Sequence, residues 1–223
     1  MAAEAASERL IAAIVAEGRG TDAGTGRRAF DPRVLDALRR APREAFVAEG
    51  FVPSAYLNRP LPIGFGQTIS QPYIVALMTD LIAPQPGERV LEIGTGSGWQ
   101  AAVLAALGAQ VFSVEVIPEL SARAAATLAA QGFGAVRLRV GDGWQGWPEE
   151  APFDAILVTA AAPEVPQALV AQLRPGGRMA TPIGAEGGAQ VLALLRKAAD
   201  GTVTREDVLP VIFVPLVKPP PAG

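Results

Sequence analysis

The sequence predicts an α/β protein. It is read as a doubly wound, mostly parallel sheet with an antiparallel C-terminal edge and helices ahead of it. Three observations carry this. From Arg89 onward, short apolar strands alternate with amphipathic helical stretches, as in a parallel sheet covered on both faces. After residue 190 the rhythm breaks. "QVLALLRKAADGTVTREDVLPVIFVPLV" reads as strand, Asp200-Gly201 turn and strand, which predicts antiparallel pairing at the edge. The chain has 223 residues, 50% hydrophobic and 18% charged, enough for one sizeable domain with a substantial core.

The elements follow in order. The Ala-rich start "MAAEAASERLIAAIVAEG" is interrupted by Glu4, Glu8 and Arg9, and reads as an amphipathic helix and not a signal peptide. A loop "GRGTDAGTGRR" leads to a helix in "DPRVLDALRRAP", with Asp31 as N-cap and Pro32 at the first helical position. Residues 1–60 form a helical extension expected to pack on the main domain, 61–217, and a Pro-rich tail at 218–223 is expected to fray. Residues 61–88 carry "GQTISQPYIVALMTDLI" and close with the turn-like "APQPGE". Then come strand "RVLEI", Gly-rich "GTGSG", helix "WQAAVLAAL", strand "QVFSVE", helix "PELSARAAATLAAQG" and strand "AVRLRVGDG". Strand "FDAILVTA", helix "EVPQALVAQL" and strand "GRMATPIG" complete the alternation.

Composition excludes several chemistries. There is no cysteine, so disulfides and thiol nucleophiles are absent, and no histidine, so Ser-His-Asp catalysis and most transition-metal sites are too. No metal site is expected. The formal net charge of −3 and the lack of a basic cluster argue against nucleic acid. No run approaches the ~20 apolar residues that span a bilayer. A cytoplasmic protein with no membrane partner is expected.

"VLEIGTGSGWQAAVLA" is the strongest local signal. Gly94, Gly96 and Gly98 stand between a strand and a helix, where glycine lets the backbone turn tightly and approach a ligand. Trp99 occupies the place of the third glycine of a dinucleotide fingerprint, and no P-loop lysine follows. GxGxG preceded by an acid inside the strand, here Glu92, is similar to the pattern of S-adenosylmethionine-dependent methyltransferases. Glu115 ends the next strand, at the offset of about 20 residues expected of a ribose-binding acid. Asp142, in "VGDGW", ends the third. Alone, Glu115 also reads as a solvated strand end and Asp142-Gly143 as a plain turn.

Four stretches resemble the protein-L-isoaspartate O-methyltransferase family: "LPIGFGQTISQPYIVALMTDLI", "VLEIGTGSGWQAAVLA", "GDGWQGWPEEAPFDAILVTAAAPEVPQALVAQLRPGGR" and "FVPLV". The resemblance covers roughly residues 30–217, and "TISQP" is its most specific part. It implies a seven-stranded Rossmann-like methyltransferase sheet. It also implies methyl transfer from S-adenosylmethionine to the α-carboxylate of L-isoaspartyl residues in damaged proteins or peptides, with S-adenosylhomocysteine as coproduct and repair through a succinimide. Ser70 matches the family's active-site serine. Thr68, Ile69, Ser70, Glu92, Gly94, Thr95, Gly96, Gly98, Glu115, Asp142 and Gly143 match cofactor-binding positions. A carboxylate nucleophile and a sulfonium donor need no general base, in keeping with the missing histidine. The expected partner is the isoaspartyl substrate, and the chain is expected to act as a monomer.

Locally, Ser70 also reads as the N-cap of the helix that Pro72 opens. Tyr73 fits the cofactor wall or the core. Trp99, Trp144 and Trp147 fit clefts or packing. Arg43 and Arg59 fit either a substrate-carboxylate contact or, as the residue type favours, solvated surface. The first thirty residues fit a cover over the site or a partner contact. Other functions stay open: a methyltransferase of this fold acting on another peptide carboxylate, a nicotinamide-dependent oxidoreductase, and a non-catalytic binding protein.

Overall fold

The computed structural model describes residues 2–26 and 29–218. Arg27 and Arg28 of the Gly/Arg loop, and the predicted tail beyond Lys218, lie outside the described residues. The helices α1 (Ala2–Gly20), α2 (Asp22–Thr25) and α3 (Pro32–Arg40) come first, so a short helix stands inside the stretch predicted as loop. At α3 the Asp31 carboxylate accepts from the Arg33 N–H at 2.8 Å, with Pro32 opening the helix as predicted.

β1 (Leu61–Gly64) and β2 (Gln67–Ile69) then form an antiparallel hairpin that the sequence pattern did not predict. The α/β alternation follows: α4 (Pro72–Ile82), β3 (Arg89–Ile93), α5 (Trp99–Ala106), β4 (Gln110–Glu115), α6 (Pro118–Ala130), β5 (Arg137–Val140), β6 (Phe153–Val158) and α7 (Gln167–Gln172). β7 (Leu173–Ile183), β8 (Gln190–Lys197) and β9 (Val203–Val211) close the main sheet.

The seven strands lie in the order β5-β4-β3-β6-β7-β8-β9. The pairs from β5 to β7 are parallel, and β7–β8 and β8–β9 are antiparallel, as the sequence predicts. Successive strand residues point to opposite faces. Val90 and Leu157 therefore enter one core cluster with Leu104 and Leu194, while Leu91 and Ile156 enter another with Phe112 and Phe153. Leu10, Ile11 and Ile14 of α1 belong to the first cluster, so the N-terminal helix shares the core of the sheet domain. β3 has β4 on one side and β6 on the other. At this switch point the loops after β3 and β6 diverge and leave a crevice at the strands' C-terminal ends.

Candidate active site

Three successive strand ends meet in that crevice. At the end of β3, Gly94 takes φ +93°, and a Cβ there would lie 2.4 Å from Thr159 Oγ1. Only glycine meets both the conformation and the space. Thr159 follows β6; its N–H donates to the Ile93 carbonyl at 2.9 Å and its hydroxyl to the Gly94 carbonyl at 2.7 Å, tying the two diverging loops together. Glu115, at the end of β4, is buried and accepts from the N–H groups of Gly96 at 2.8 Å and Ile117 at 3.0 Å. Glu115 is thus no solvated strand end. Its carboxylate fixes the glycine loop and still has acceptor capacity facing the crevice.

Glu92 points inward from β3 and is fully buried. Its Oε2 accepts from Ser113 Oγ at 2.5 Å, and Ser113 in turn is 2.6 Å from Thr95 Oγ1. Among the described residues, its Oε1 has no hydrogen-bond partner. Burial pushes the carboxyl pKa up to about 8, the Ser113 hydrogen bond opposes this, and the nearby Glu115 charge adds to it.

The crevice holds about 740 Å³, counting its open mouth, within the range of small-molecule sites. Ile69, Glu92, Gly94, Gly96, Glu115 and Gly143 are among the residues lining it, and a second cleft adjoins it. Thr68, Ser70, Thr159 and Val214 line both.

Ser70 therefore stands between two spaces, and its hydroxyl is not spent on the helix. Gln71 is the N-cap of α4 and makes no side-chain cap bond. The cap comes instead from Asn58, whose Oδ1 accepts from the Tyr73 N–H at 2.9 Å. Among the described residues, none hydrogen-bonds the Ser70 hydroxyl. The main chain of Ser70 is held by Arg43, whose Nη2 donates to the Ser70 carbonyl at 3.0 Å. This corrects the solvated reading of Arg43, which is 1% exposed, whereas Arg59 is exposed as read.

The other candidates separate. Thr95 is buried and lines the crevice, and Gly98 caps α5 in a left-handed conformation at φ +86°. Asp142 is not among the lining residues. Its Oδ1 accepts from the Trp144 N–H at 2.9 Å, the local turn bond. Trp99 lines the crevice with its ring buried and donates from Nε1 to the Ala41 carbonyl at 2.9 Å. Trp144 donates to the Leu216 carbonyl at 3.1 Å, and Trp147 packs edge-on against Phe112 at 5.9 Å, neither lining the crevice. Tyr73 is core: its ring is 1% exposed and meets Phe30 edge-on, and its hydroxyl lies 2.5 Å from Thr21 Oγ1.

Sequence reasoning missed Thr159 and the far wall. Val214–Val217 line the crevice, held where the Ala161 N–H donates to the Val214 carbonyl at 2.8 Å and the Leu216 N–H to the Ala161 carbonyl at 2.7 Å. The Gln190 side chain clips the Phe213 main chain at 2.6 and 3.2 Å. The "FVPLV" motif was the available signal. Among the described residues, no cluster of acids fits a metal ion, and no helix is long and apolar enough to cross a membrane.

Comparison with known proteins agrees with this geometry. The family model described as protein-L-isoaspartate(D-aspartate) O-methyltransferase (PCMT) matches residues 25–220. The protein-L-isoaspartate O-methyltransferase of Anaeromyxobacter dehalogenans is 58% identical over 193 residues, 86% of this chain and 92% of that protein. A solved protein-L-isoaspartate O-methyltransferase superposes with a TM-score of 0.80 at 28% identity, covering 94% of this chain and 65% of that one. A Plasmodium falciparum beta-aspartate methyltransferase (PCMT), solved in complex with S-adenosyl-L-homocysteine, shares the fold at a TM-score of 0.78 and 23% identity, covering 96% of this chain and 98% of that one. By sequence and by fold, the chain belongs to the protein-L-isoaspartate O-methyltransferase family.

Proposed function

We propose that the chain methylates the α-carboxylate of L-isoaspartyl residues in damaged proteins or peptides, using S-adenosylmethionine, with Ser70 orienting the carboxylate. The observation that carries the reading is the uncommitted Ser70 hydroxyl on the wall common to two clefts. The donor sits in the crevice on the glycine-loop side, the peptide in the cleft on the other. We read residues 1–60 as an extension packed on the methyltransferase domain, 61–217.

The crevice fits the donor. Among the described residues, Glu92 leaves a buried carboxyl oxygen unpaired at the crevice, which suits an ammonium group. Gly94, Thr95, Gly96 and Gly98 let the main chain close on the same group. Glu115 has free acceptor capacity for ribose hydroxyls, and Gly143 lines the crevice at the third strand end, toward the adenine, with Asp142 shaping the turn that presents it. Thr68 and Ile69 flank the cleft junction. When bound, S-adenosylmethionine supplies an electrophilic methyl on a sulfonium sulfur.

Ser70 donates a hydrogen bond to one carboxylate oxygen and leaves the other free to attack. That oxygen forms the new O–C bond while the sulfur–methyl bond breaks and sulfur keeps the electron pair. No proton moves, so no base is needed. What the protein supplies is alignment and exclusion of water, and in favourable systems alignment contributes about 7–11 kcal/mol. The ester then closes without the enzyme: the neighbouring amide nitrogen displaces methanol to give a succinimide, which reopens partly to aspartate.

The test pairs labelled S-adenosylmethionine with an isoaspartyl peptide and its aspartyl twin. Label transferred to the isoaspartyl form alone, followed by methanol release, is the expected outcome. Equal transfer to both, or none to either despite donor binding, would overturn the substrate.

A further inference from the structure

The cleft beyond Ser70 is walled by Glu17 of α1, by Thr21 just after it, by α4, and by residues 209–214. Among its described lining residues, Glu17 is the only one with a carboxylate, ammonium or guanidinium side chain. Its carboxylate is held in place by two neutral amides. Oε2 accepts from Asn58 Nδ2 at 2.7 Å and from Gln71 Nε2 at 3.1 Å, and Oε1 lies 3.2 Å from the same Gln71 nitrogen. Neither partner is a cation, and among the described residues no ion pair neutralises this carboxylate. A carboxylate offers about four acceptor positions, so Glu17 keeps room for one more donor. The same cleft has an apolar stretch in its lining, with Ile212 98% exposed beside Val211 and Phe213. A fixed acid sharing a cleft with an exposed aliphatic surface matches a lysine or arginine side chain, whose stem packs on hydrocarbon while its head seeks an anion.

Glu17 also lies ahead of the family match, which begins at residue 25. The charge in the cleft is thus contributed by the N-terminal helix of this chain, outside the matched domain.

We infer that Glu17 sets substrate preference, favouring isoaspartyl peptides with a lysine or arginine beside the isoaspartyl residue and disfavouring acidic neighbours. The inference rests on the reading of this cleft as the peptide site. Glu17 is half-buried, so each flanking charge should change kcat/KM about two- to fivefold, the range of partly exposed pairs.

The test uses isoaspartyl peptides identical except for Lys, Gln or Glu at each of the two positions on either side of the isoaspartyl residue. With the unmodified protein, kcat/KM should fall in the order Lys, Gln, Glu at one position at least, and high salt should compress the series. In Glu17→Gln, whose amide oxygen can still accept from Asn58 or Gln71, the Lys-to-Glu ratio should fall toward one whatever the absolute rate. In Glu17→Lys it should invert. No such order in the unmodified protein, or the same order kept in Glu17→Gln, would overturn the inference. Failure of the Ser70 reading looks different: Ser70→Ala would then leave every peptide's rate intact, without touching the ratios.

Discussion

Arg43 and Ser70 are joined through the main chain: a guanidinium 1% exposed donates from Nη2 to the Ser70 carbonyl oxygen at 3.0 Å. The same group donates to the carbonyls of Ala55 at 2.6 Å, Leu57 at 3.3 Å and Arg59 at 3.0 Å. The Trp99 ring lies 5.1 Å beneath it. Four carbonyl dipoles thus replace water around a charge whose pKa burial lowers to about 10, which keeps it cationic at neutral pH. The arrangement clamps residues 55–59 to the start of the serine motif.

Arg43→Ala should therefore destabilise the protein by roughly 3–5 kcal/mol, since it leaves carbonyls unsatisfied and opens a cavity. Arg43→Lys keeps the charge but cannot reach all four acceptors. Its loss of kcat should be smaller in a Ser70→Ala background than in the unmodified protein, because both changes act on one position. Additive effects in that double-mutant cycle would show that Arg43 supports the fold without placing Ser70.

Ser70→Ala should lower kcat about 10- to 100-fold, the range for losing one hydrogen bond to a charged group. Donor affinity and melting temperature should hardly change, because the hydroxyl carries no hydrogen bond among the described residues. Calorimetric titration and thermal unfolding check both halves.

Asn58→Ala is the complementary change. It removes the side-chain cap of α4 and should cost about 1 kcal/mol of stability, visible in denaturant unfolding. A stability loss in Asn58→Ala without one in Ser70→Ala separates the capping role from the chemical one.

Glu92 makes stability depend on pH. The unfolded carboxyl ionises near its ordinary value of 4.5, while the folded one holds its proton up to about 8. Between those values the native state binds more protons, so stability falls as pH rises through the window and levels off above it. Glu92→Gln removes this loss and should gain on the order of 2–5 kcal/mol relative to the unmodified protein at pH 9 against pH 4. The same variant should bind S-adenosylmethionine more weakly. Denaturant unfolding at the two pH values, and titration with the donor, measure both.

Gly94→Ala should abolish donor binding. Its Cβ would stand 2.4 Å from Thr159 Oγ1 at a φ that alanine rarely adopts. Paired substitution with Thr159→Ala relieves the contact but not the strain, so it should restore binding only in part.

The sheet was legible because parallel strands buried on both faces leave mostly apolar runs such as "AILV", and "VLEI" with its single acid. The glycine loop was legible because its conformation admits few residue types. Other features have no local mark. β1 and β2 have four and three residues, too few for alternation to show. Arg43 stands in "PREAF" like any surface arginine. Its partners are main-chain carbonyls, which every residue possesses, so only the fold shows that it is buried. Asn58 caps a helix fifteen residues downstream of itself, and Thr159 acts on a loop from another strand. Ser70 was ambiguous for the same reason: proximity to a proline-led helix suggested a cap that a distant loop supplies.

The wall formed by Val214–Val217 links the site to protein synthesis. Residues lining the crevice run from Gln67 to Val217. A ribosome-bound chain can pair β3 and β4 early, but its crevice stays open on one side until Val217 has left the exit tunnel. Donor binding then becomes a late event, and stalled or prematurely terminated chains should fail to acquire it even when most of the sheet has formed.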